Sequence, residues 1–409
     1  MHSASTSRRV GDSPATSYNT HTFVVVDAIV SRGSRRQIMT THTVAGINFG
    51  HFHMGDNLRM VADHPNAEIV AVCDENPEES TLGLEDTAAE FAIPDERVYD
   101  DHEACLTETE PDIVVLCPVP SEHAEWVERV APYGCDIVLE KPFATSVADA
   151  DRMIAATEDA GVRLAINWPL AWYPPHRTTK RLVDEGAIGD VVEIHYYDGN
   201  KGSGRFEQVE YGDSGELHFA GGDRRDVAGA ARTWWHQPDR GGGSLYDYLG
   251  YGVTLGTWFR DGELPLEVTT DTYTPEWSPV DTHSITVAKY DDGLSKYETR
   301  WGTFTDPWVD QPQPKCGFVV VGTEGTIASY DYEETIRVQD RDRPEGYEVE
   351  VDELEPPLQN PIQYVIDCIE GDHPVEFGPL SPELCRGAQR IVDSAHRSAQ
   401  VGETVELVE

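Results

Sequence analysis

The chain has 409 residues and a formal net charge of −43, from 74 acidic and 31 basic side chains. This charge argues against nucleic acid or an anionic membrane as a partner, and no run reaches the length of about 18 apolar residues that spans a membrane. The acids are spread along the whole chain, which is typical of a halophile's surface at high salt. Seven single cysteines fit a reducing compartment, so we expect a cytoplasmic protein with room for two domains.

The first 40 residues differ from the rest of the chain. They are rich in Ser, Thr and Arg, and their one apolar stretch, VVVDAIV, is short and contains an acid. Arg8 and Arg9 resemble a twin-Arg export signal, but no small-residue cleavage site follows them. We therefore expect a disordered extension over 1–40, with export and a true start at Met39 as the alternatives.

Short apolar strands alternate with helices from residue 43 to about 168. This alternation is typical of a parallel, doubly wound sheet, which predicts an α/β Rossmann domain over 41–165. One helix has a Ser/Thr cap at its start and Gly161 as its stop signal. The predicted strands are 41–49, 67–74, 112–118, 135–142 and 162–168, and the predicted helices are 55–63, one from Ser121, and 145–161.

The pattern changes after about residue 185, where strands with alternating apolar and polar residues dominate. Turn signals such as Asp292-Gly293 separate some of them. One helical stretch at 241–260 interrupts the strands, and an amphipathic helix at 381–400 follows them. We expect a second α/β domain over 166–380 with an open, mostly antiparallel sheet, and a C-terminal helix and tail at 381–409 that pack back on the core.

The stretch AGINFGHFHMGDN at 45–57 follows the first strand and leaves two interpretations open. Glycines at a strand-to-helix turn can hold a pyrophosphate, and Asp74 at the end of the second strand suits a ribose. However, Gly50 alone keeps its place in the usual G-x-G-x-x-G pattern, with Asn48 and His53 at the flanking glycine positions. The pair His51 and His53 leaves a metal site, which would need further ligands, or plain surface histidines as the alternatives.

Residues 138–142 read VLEKP directly after a strand. Together with Asp74, PSEH at 120–123 and GGGSLYDYLGY at 241–251, they resemble the glucose–fructose oxidoreductase / inositol dehydrogenase (Gfo/Idh/MocA) family over about residues 43–408. The resemblance implies an N-terminal Rossmann domain that binds NAD(P) and a C-terminal domain whose open sheet mediates assembly, here as a homodimer or homotetramer. It also implies oxidation or reduction of sugars, cyclitols and related polyols.

The resemblance implies catalytic roles for Lys141, Asp247 and Tyr251. Hydride transfer from a carbinol needs a base for the hydroxyl proton and a C–H held against the nicotinamide. Asp247 and Tyr251 are four residues apart, so they share a helix face. The family usually has His where Tyr251 stands, and we expect the Lys141 ammonium to lower the pKa of this phenol. The alternatives are a surface position for Lys141, a helix-terminus charge for Asp247 and packing for Tyr251.

The remaining predicted contacts concern the cofactor and the substrate. Asp74 is followed by Glu75 and Asn76 with no Arg or Lys nearby in the sequence, so a 2′-phosphate would be repelled and NAD is favoured over NADP. The predicted cofactor contacts are Asn48, Phe49, Gly50, His51, His53, Asp74, Pro118, His123, Glu140, Lys141 and Asn167. The predicted substrate contacts, with an ordinary aromatic core as the alternative, are Trp168, Tyr173, His176, Trp235 and His236.

The leading hypothesis is an NAD(P)-dependent dehydrogenase that acts on CH–OH groups of a sugar or polyol, with no metal. A hydrolase or lyase that uses tightly bound NAD transiently is the second hypothesis, and a retained cofactor without net NADH would distinguish it. A non-catalytic sensor and a metal-dependent hydrolase complete the set of hypotheses. Lys141 and Asp247 argue against the sensor, and the metal hydrolase requires bound metal.

Overall fold

A computed structural model describes residues 41–77, 79–201, 208–211, 217–220 and 234–409. The predictions for 1–40 lie outside the described residues. From Thr40 onward the chain forms one compact unit. Among the described residues, no helix combines the length and the apolar character needed to cross a membrane.

The N-terminal part of the described chain contains a six-stranded sheet in which every strand pair is parallel. Its order is β3-β2-β1-β4-β5-β6, so the direction of winding reverses between β1 and β4. In such a sheet ligands bind outside the carboxyl ends of the strands at this reversal. The strands are β1 His42–Ile47, β2 Ala67–Cys73, β3 Val98–Tyr99, β4 Ile113–Leu116, β5 Asp136–Glu140 and β6 Leu164–Asn167.

Helices connect these strands, as the alternating pattern predicted. The strands β4 and β5 are buried along their whole length, which a parallel sheet covered on both faces requires. The helix at 147–160 starts where Ser146 accepts a hydrogen bond from the Asp149 amide and stops at Gly161, with φ 69°. The helices are α1 His53–Ala62, α2 Leu84–Glu90, α3 His102–Thr109, α4 His123–Val130 and α5 Val147–Ala160.

The C-terminal part is built on a nine-stranded sheet of described residues, with the order β16-β15-β14-β13-β7-β12-β11-β10-β17. All neighbours are antiparallel except β7 and β12, which confirms the mostly antiparallel prediction. β8 and β9 form a separate pair. The strands are β7 Val191–Asn200, β8 Gln208–Tyr211, β9 Leu217–Ala220, β10 Glu267–Tyr273, β11 His283–Lys289, β12 Leu294–Trp301, β13 Gly317–Gly322, β14 Gly325–Tyr330, β15 Thr335–Asp340, β16 Tyr347–Glu350 and β17 Val405–Glu406.

Further helices follow in the second half of the chain. They are α6 Pro174–Asp184, α7 Ser244–Phe259, α8 Pro361–Gly371 and α9 Pro382–Val401. The predicted start of α7 at 241 was wrong by three residues, because Gly241 and Gly243 have φ values of 88° and 111° and hold the chain out of the helix. α6 and α7 pack on the second sheet, whereas α8 packs on β5 and β6 of the first. The last helix packs on α7, β10 and α5, so it joins the two sheets.

Candidate active site

The turn after β1 forms without its first glycine. Asn48 has φ 65°, a left-handed conformation that Asn tolerates better than most residues. Its side-chain oxygen accepts a hydrogen bond from the Gly50 amide at 2.9 Å. Asn48 therefore takes over the conformational role of the missing glycine and stabilises the turn with its own side chain.

Gly50 cannot carry a side chain in this turn. A Cβ there would lie 2.9 Å from the Val119 amide nitrogen, in the loop after β4. The next amide, of His51, donates to the Cys117 carbonyl at 3.0 Å. The turn thus packs tightly against the end of β4. This is the place where the direction of winding of the sheet reverses, and where a pyrophosphate would lie in this fold.

His51 presents a buried donor without a partner among the described residues. Its Nδ1 accepts a hydrogen bond from the His53 amide at 3.2 Å, so in the neutral ring the proton is on Nε2. Burial, with smaller contributions from the charges of His53 and Lys141, holds the pKa of His51 well below its ordinary value. Nε2 has no hydrogen-bond partner, although the residue is only 1% exposed. A buried N–H in this state calls for an acceptor on a ligand.

A chain of polar side chains ties the first turn to the ends of β5 and β6. His53 Nδ1 lies 2.7 Å from a Glu140 carboxylate oxygen, and Asn57 donates to the other oxygen at 3.3 Å. Asn167 in turn donates to Asn57 at 2.9 Å. The sequence analysis missed Asn57, although its position one helical turn after His53 was a usable signal. Glu140 and Asn167 therefore position the turn and lie beneath it.

The metal alternative for the His-x-His pair is weaker in this geometry. Potential ligand atoms of His51, His53 and Glu140 lie within 4.8 Å of one another. However, Nδ1 of His51 accepts a backbone hydrogen bond, and Nδ1 of His53 faces the Glu140 carboxylate. A metal bound at Nε2 of His51 would require a proton on Nδ1, which would break that hydrogen bond. The hydrogen bonds thus favour a nucleotide turn.

Asp74 lies at the end of β2, as predicted, and is covered by the loop that follows. The residue is 1% exposed, and its carboxylate accepts from the Ser80 hydroxyl and from the Asn76 amide, the latter at 3.1 Å. Burial raises its pKa. The same loop reaches the first turn, where the Thr81 amide donates to the Phe49 carbonyl at 3.0 Å.

A cation lies beside Glu75, the residue that follows Asp74. Arg129 of α4 donates to Glu75, the next residue, at 2.7 Å. Its guanidinium also lies 4.1 Å from the Trp126 ring centroid, and His102 Nδ1 is 2.6 Å from the other Glu75 oxygen. These partners hold the pKa of Glu75 below its ordinary value against an opposing effect of burial, so Arg129 is already paired with a carboxylate.

Lys141 and Asp247, which are 106 residues apart in the chain, meet at 3.2 Å between Nζ and Oδ1. They are 4% and 5% exposed, so the pair is largely shielded from water. The Trp301 indole donates to the other Asp247 oxygen at 3.0 Å, a contact for which the sequence contains no signal. The bond between Lys141 and Pro142 is cis. The two predicted charged residues therefore face each other between the end of β5 and helix α7.

Tyr251 lies one helical turn after Asp247, but its chemistry differs from the expectation. The Lys141 ammonium is 5.1 Å from the centre of the Tyr251 ring, and the hydroxyl makes no hydrogen bond with a described residue. Its pKa is raised well above the ordinary value, first by burial and then by the charges of Glu140 and Asp247. The predicted lowering of this pKa was wrong, because burial and nearby carboxylates outweigh the ammonium.

His123 lies after β4, at the start of α4, and both of its ring nitrogens contact backbone. The ring is fully buried, and its two nitrogens lie 3.2 Å from the carbonyl oxygens of Pro118 and Phe143. Burial lowers its pKa to about 4. Since both nitrogens contact backbone, His123 holds the loop after β4 against the loop after Lys141. It is a positioning residue for these loops, and its contact with a cofactor stays a prediction.

The predicted aromatic contacts divide into two groups. The Trp168 indole donates to Cys385 Sγ at 3.4 Å and its ring packs edge-on against Tyr251 at 5.2 Å, so it supports α7 from the core. Trp235 instead lies 5.7 Å from the His51 ring. His236, which follows it, has its ring 5.5 Å from that of Trp301. Trp235 and His236 thus remain candidates for ligand contact.

A further tryptophan closes the first turn from the C-terminal part. The Trp234 indole donates to the Gly50 carbonyl at 3.0 Å, and its ring stacks on Trp235 at 4.5 Å. Arg240, just before the glycine triplet, bridges Glu79 at 3.0 Å and Glu122 at 2.5 Å. Both parts of the chain therefore contribute to the walls of the same cleft.

Tyr173 and His176, the last predicted substrate residues, contact the end of β14 and the residues after it. His176 is fully buried, with Nε2 2.7 Å from Asp331 and Nδ1 3.0 Å from the Ser329 hydroxyl. The two hydroxyls of Tyr173 and Tyr332 are 2.5 Å apart. His176 is therefore held behind the site, while Tyr173 lies at its edge.

Comparisons with known proteins agree with this architecture. A family model described as "Oxidoreductase family, NAD-binding Rossmann fold" matches residues 42–168, and the GFO/IDH/MocA C-terminal domain model matches 206–328. A D-apiose dehydrogenase from Paraburkholderia graminis is 36% identical over 34% of this chain and 35% of its own length. An inositol 2-dehydrogenase from Paracoccus denitrificans is 30% identical over 25% and 30%, respectively. The chain thus aligns with about a third of the length of these curated relatives.

Solved structures share the fold over nearly their whole length. An aldose-aldose oxidoreductase from Caulobacter crescentus, complexed with glycerol, has a TM-score of 0.68 at 20% identity and covers 90% of this chain and 100% of its own. An oxidoreductase from Agrobacterium radiobacter, in complex with NAD+, L-tartaric acid and magnesium, has a TM-score of 0.67 at 20% identity, with 90% and 99% covered. With both domain models matched and the fold shared, the chain belongs to the Gfo/Idh/MocA family of NAD-binding oxidoreductases.

Proposed function

We propose that this protein is an NAD-dependent dehydrogenase that transfers a hydride between the nicotinamide and a carbinol carbon of a sugar or polyol. The observation that carries the proposal is the buried Lys141–Asp247 pair, which meets Tyr251 at the carboxyl edge of the parallel sheet. The curated relatives named as apiose and inositol dehydrogenases support the class of substrate.

The residues of the first turn fit a dinucleotide. Gly50 lets the turn pack against the loop after β4, because a Cβ would collide with the Val119 backbone. His51 Nε2 is a buried donor that lacks an acceptor among the described residues, and a phosphate or amide oxygen of the cofactor would supply one. Asp74 at the end of β2 is placed for the ribose hydroxyls, provided that the Ser80 hydroxyl and the Asn76 amide release its oxygens.

The side chains of the protein would then transfer the hydroxyl proton and stabilise the charge that develops on the carbinol oxygen. A bound nicotinamide supplies the hydride acceptor or donor. Lys141 donates a hydrogen bond to the carbinol oxygen and gives one proton to Asp247 as it takes the hydroxyl proton, across the 3.2 Å that separates the pair. Tyr251, whose raised pKa keeps the phenol protonated at neutral pH, donates a second hydrogen bond to the same oxygen. Burial of the pair strengthens these interactions by excluding water.

The choice of NAD over NADP is part of this proposal. A 2′-phosphate would meet the Asp74 carboxylate at the ribose position. Arg129 is the cation that contacts the residue after Asp74, and Glu75 already binds it at 2.7 Å. The two acids therefore act together against NADP, one by repulsion and one by occupying the guanidinium.

Assembly into a homodimer or homotetramer through the open sheet is also proposed. Side chains on β10 alternate between buried and exposed, so one face packs on helices while the other is open. Tyr273, Ile285 and Leu294 on that sheet are 63%, 39% and 53% exposed. Apolar groups at this level of exposure support an interface, and light scattering of the purified protein would measure the number of subunits.

A second candidate is a hydrolase or lyase in which tightly bound NAD takes a hydride from the substrate and later returns it to an intermediate. Its support is the closure of the first turn by Thr81 from one side and Trp234 from the other, which favours slow cofactor exchange. Such an enzyme would be purified with its cofactor and would form no net NADH during turnover. Release of NAD on denaturation, together with product formation at constant absorbance at 340 nm, would select it over the dehydrogenase.

The experiment for the dehydrogenase is a turnover assay with NAD and a panel of neutral sugars and polyols, including D-apiose and myo-inositol. Lys141→Met should lower kcat by about 10²-fold or more, because the proton transfer and the positive charge are lost, while NADH still binds. Lys289→Met is the matched control, since that lysine is exposed on β11 and pairs with Glu267. Retention of full activity by Lys141→Met would overturn the proposal.

A further inference from the structure

Helix α7 carries Asp247 and Tyr251, but the residue before it has no side chain to cap its first turn. That residue is Gly243, with φ 111°. The first amides of a helix have no acceptor within the helix. The place of Asp247, in the first turn, therefore depends on which group accepts from the amides of Ser244 and Leu245.

Asp281, in the connection between β10 and β11, supplies these acceptors. Its Oδ2 accepts from the Leu245 amide at 3.0 Å and from the Ser244 hydroxyl at 2.6 Å. Its backbone carbonyl accepts from the Ser244 amide at 3.0 Å. A carboxylate in this place also interacts favourably with the positive end of the helix dipole. Asp281 thus caps α7 from a distant part of the chain.

Gly243 links this cap to Asp247. A Cβ on Gly243 would collide with Oδ1 of Asp281, so the carboxylate lies directly against the glycine backbone. The carbonyl of the same glycine accepts from the Asp247 amide at 3.1 Å. A displacement of the cap would therefore be passed on to Asp247 through one residue.

The residue after Asp281 holds the other partner of Asp247. The Thr282 carbonyl accepts from the Trp301 amide at 2.9 Å, and the Trp301 indole donates to Asp247 Oδ2 at 3.0 Å. Asp281 and Thr282 therefore anchor both ends of the Trp301–Asp247 hydrogen bond. Because Oδ1 of Asp247 faces Lys141 at 3.2 Å, a shift of α7 would also change the geometry of that pair.

Hydroxyl groups on β11 and β12 support the cap. The Ser244 hydroxyl lies 3.2 Å from that of Thr299, which in turn lies 2.7 Å from that of Ser284. All three residues are at most 1% exposed. Hydrogen bonds in such a buried network are stronger than in water, so the start of α7 is held in a defined place on the second sheet.

We propose that Asp281 is a positioning residue for the reaction, because by capping α7 it sets the place of Asp247 between Lys141 and Trp301. It does not contact the reacting atoms itself. Its effect on kcat rests on the proposed function, whereas its effect on the Trp301–Asp247 contact does not.

The Trp301 indole N–H reports the place of Asp247 without any substrate. The measurement is an NMR spectrum of the full-length protein labelled with ¹⁵N-tryptophan, in which Trp301→Phe identifies the signal. Asp281→Ala should shift this signal upfield, because the hydrogen bond to Asp247 lengthens and weakens. An unchanged Trp301 signal in Asp281→Ala would overturn the proposal.

Asn360→Ala is the matched control for the loss of a helix cap. Asn360 caps α8 by accepting from the Gln363 amide at 2.9 Å, and α8 packs on the first sheet. This variant should lower the thermal midpoint and leave both the Trp301 signal and kcat unchanged. If it moved the Trp301 signal as much as Asp281→Ala does, the signal would report general loosening and the proposal would fail.

Kinetics test the consequence for the reaction. Asp281→Ala should lower kcat by about 10-fold or more, because the proton acceptor is displaced, with the affinity for NADH unchanged. Asp281→Asn keeps an oxygen that can accept from Leu245, so its kcat should stay within about 3-fold of the wild type. In an Asp247→Asn background, Asp281→Ala should cost less than about 3-fold further, because both changes act through the same group.

The outcomes separate this proposal from the proposed function. Wild-type kcat in Asp281→Ala, or additive losses in the double variant, would overturn the positioning role. If the wild type binds NADH but converts no sugar or polyol, the proposed function fails and the Trp301 signal still decides the role of Asp281. Should Asp281→Ala not fold, Ser244→Ala removes one donor to Oδ2 and should shift the signal in the same direction, and an unchanged signal would again overturn the proposal.

Discussion

At the scale of single residues, the first turn shows how an altered glycine pattern can still form a tight strand-to-helix turn. Asn48 adopts the left-handed conformation itself and caps the Gly50 amide. His51 keeps one buried N–H that has no partner among the described residues. Another residue can therefore replace glycine where the turn requires only a left-handed backbone conformation, as at Asn48. It is not tolerated at Gly50, where a side chain has no space.

Gly50→Ala should weaken NADH binding by about 10-fold or more, because its Cβ would lie 2.9 Å from the Val119 amide nitrogen and would push the turn away from β4. The measurement is a fluorescence titration with NADH. Gly55→Ala, in the same segment, is the control, since its Cβ would have only an ordinary contact with Leu82 at 3.4 Å. Equal affinities for both variants would contradict the packing argument.

Tyr251→Phe should lower kcat by about 10²-fold with little change in NADH affinity, because a hydrogen-bond donor to the substrate oxygen is lost. The raised pKa also has a consequence for wild-type activity. Since the phenol stays protonated below its ordinary pKa of about 10, the rate should show no decline from its ionisation between about pH 7 and 9. Tyr273→Phe, on an exposed position, is the control. A loss of rate in this range that disappears in Tyr251→Phe would show that the phenol ionises there.

At the scale of elements, the sequence identified the strands of the Rossmann domain and the long C-terminal helix because their periodicity and caps are strong. It missed α8, although Asn360 caps that helix and Pro361 stands at its first position, a start signal that could have been used. It could not place Arg129 beside Glu75, because that contact depends on how α4 packs next to β2.

The contact between the β2 loop and α4 should influence cofactor choice. Glu75→Gln should leave Arg129 without its carboxylate partner and improve NADPH affinity relative to NADH by about 3- to 10-fold. The ratio of the two dissociation constants is the measurement. In the double variant Glu75→Gln with Arg129→Gln the gain should disappear. If the single variant keeps the wild-type ratio, Arg129 does not reach the cofactor phosphate.

At the scale of the whole molecule, the sequence resemblance anticipated the fold and the identity of the charged pair, but not its surroundings. Trp301 bonds to Asp247 from a strand of the second sheet, and the carboxylates that raise the pKa of Tyr251 come from three separate elements. Their combined effect on this pKa depends on three-dimensional burial, so a pattern of residue types could not show it. The net charge, by contrast, follows directly from the sequence.

The charge of −43 should make stability depend on salt. The thermal midpoint should rise by about 10 °C or more between 0.2 and 3 M KCl, because screening removes repulsion between acids on the surface. Sucrose at matched osmolality, which acts through exclusion from the surface and not through screening, should give a smaller rise. A midpoint that is constant or falls with KCl would argue against a halophilic surface.

The central claim is that the turn after β1 binds NAD beside the Lys141–Asp247 pair. The most direct measurement is a titration of the purified protein with NADH and then NADPH in multi-molar KCl, with tryptophan excitation and nicotinamide emission. We expect saturable binding of NADH, at least about 10-fold tighter than that of NADPH, because Asp74 would repel a 2′-phosphate. If neither nucleotide binds and denaturation releases no cofactor, the turn after β1 is not an NAD site.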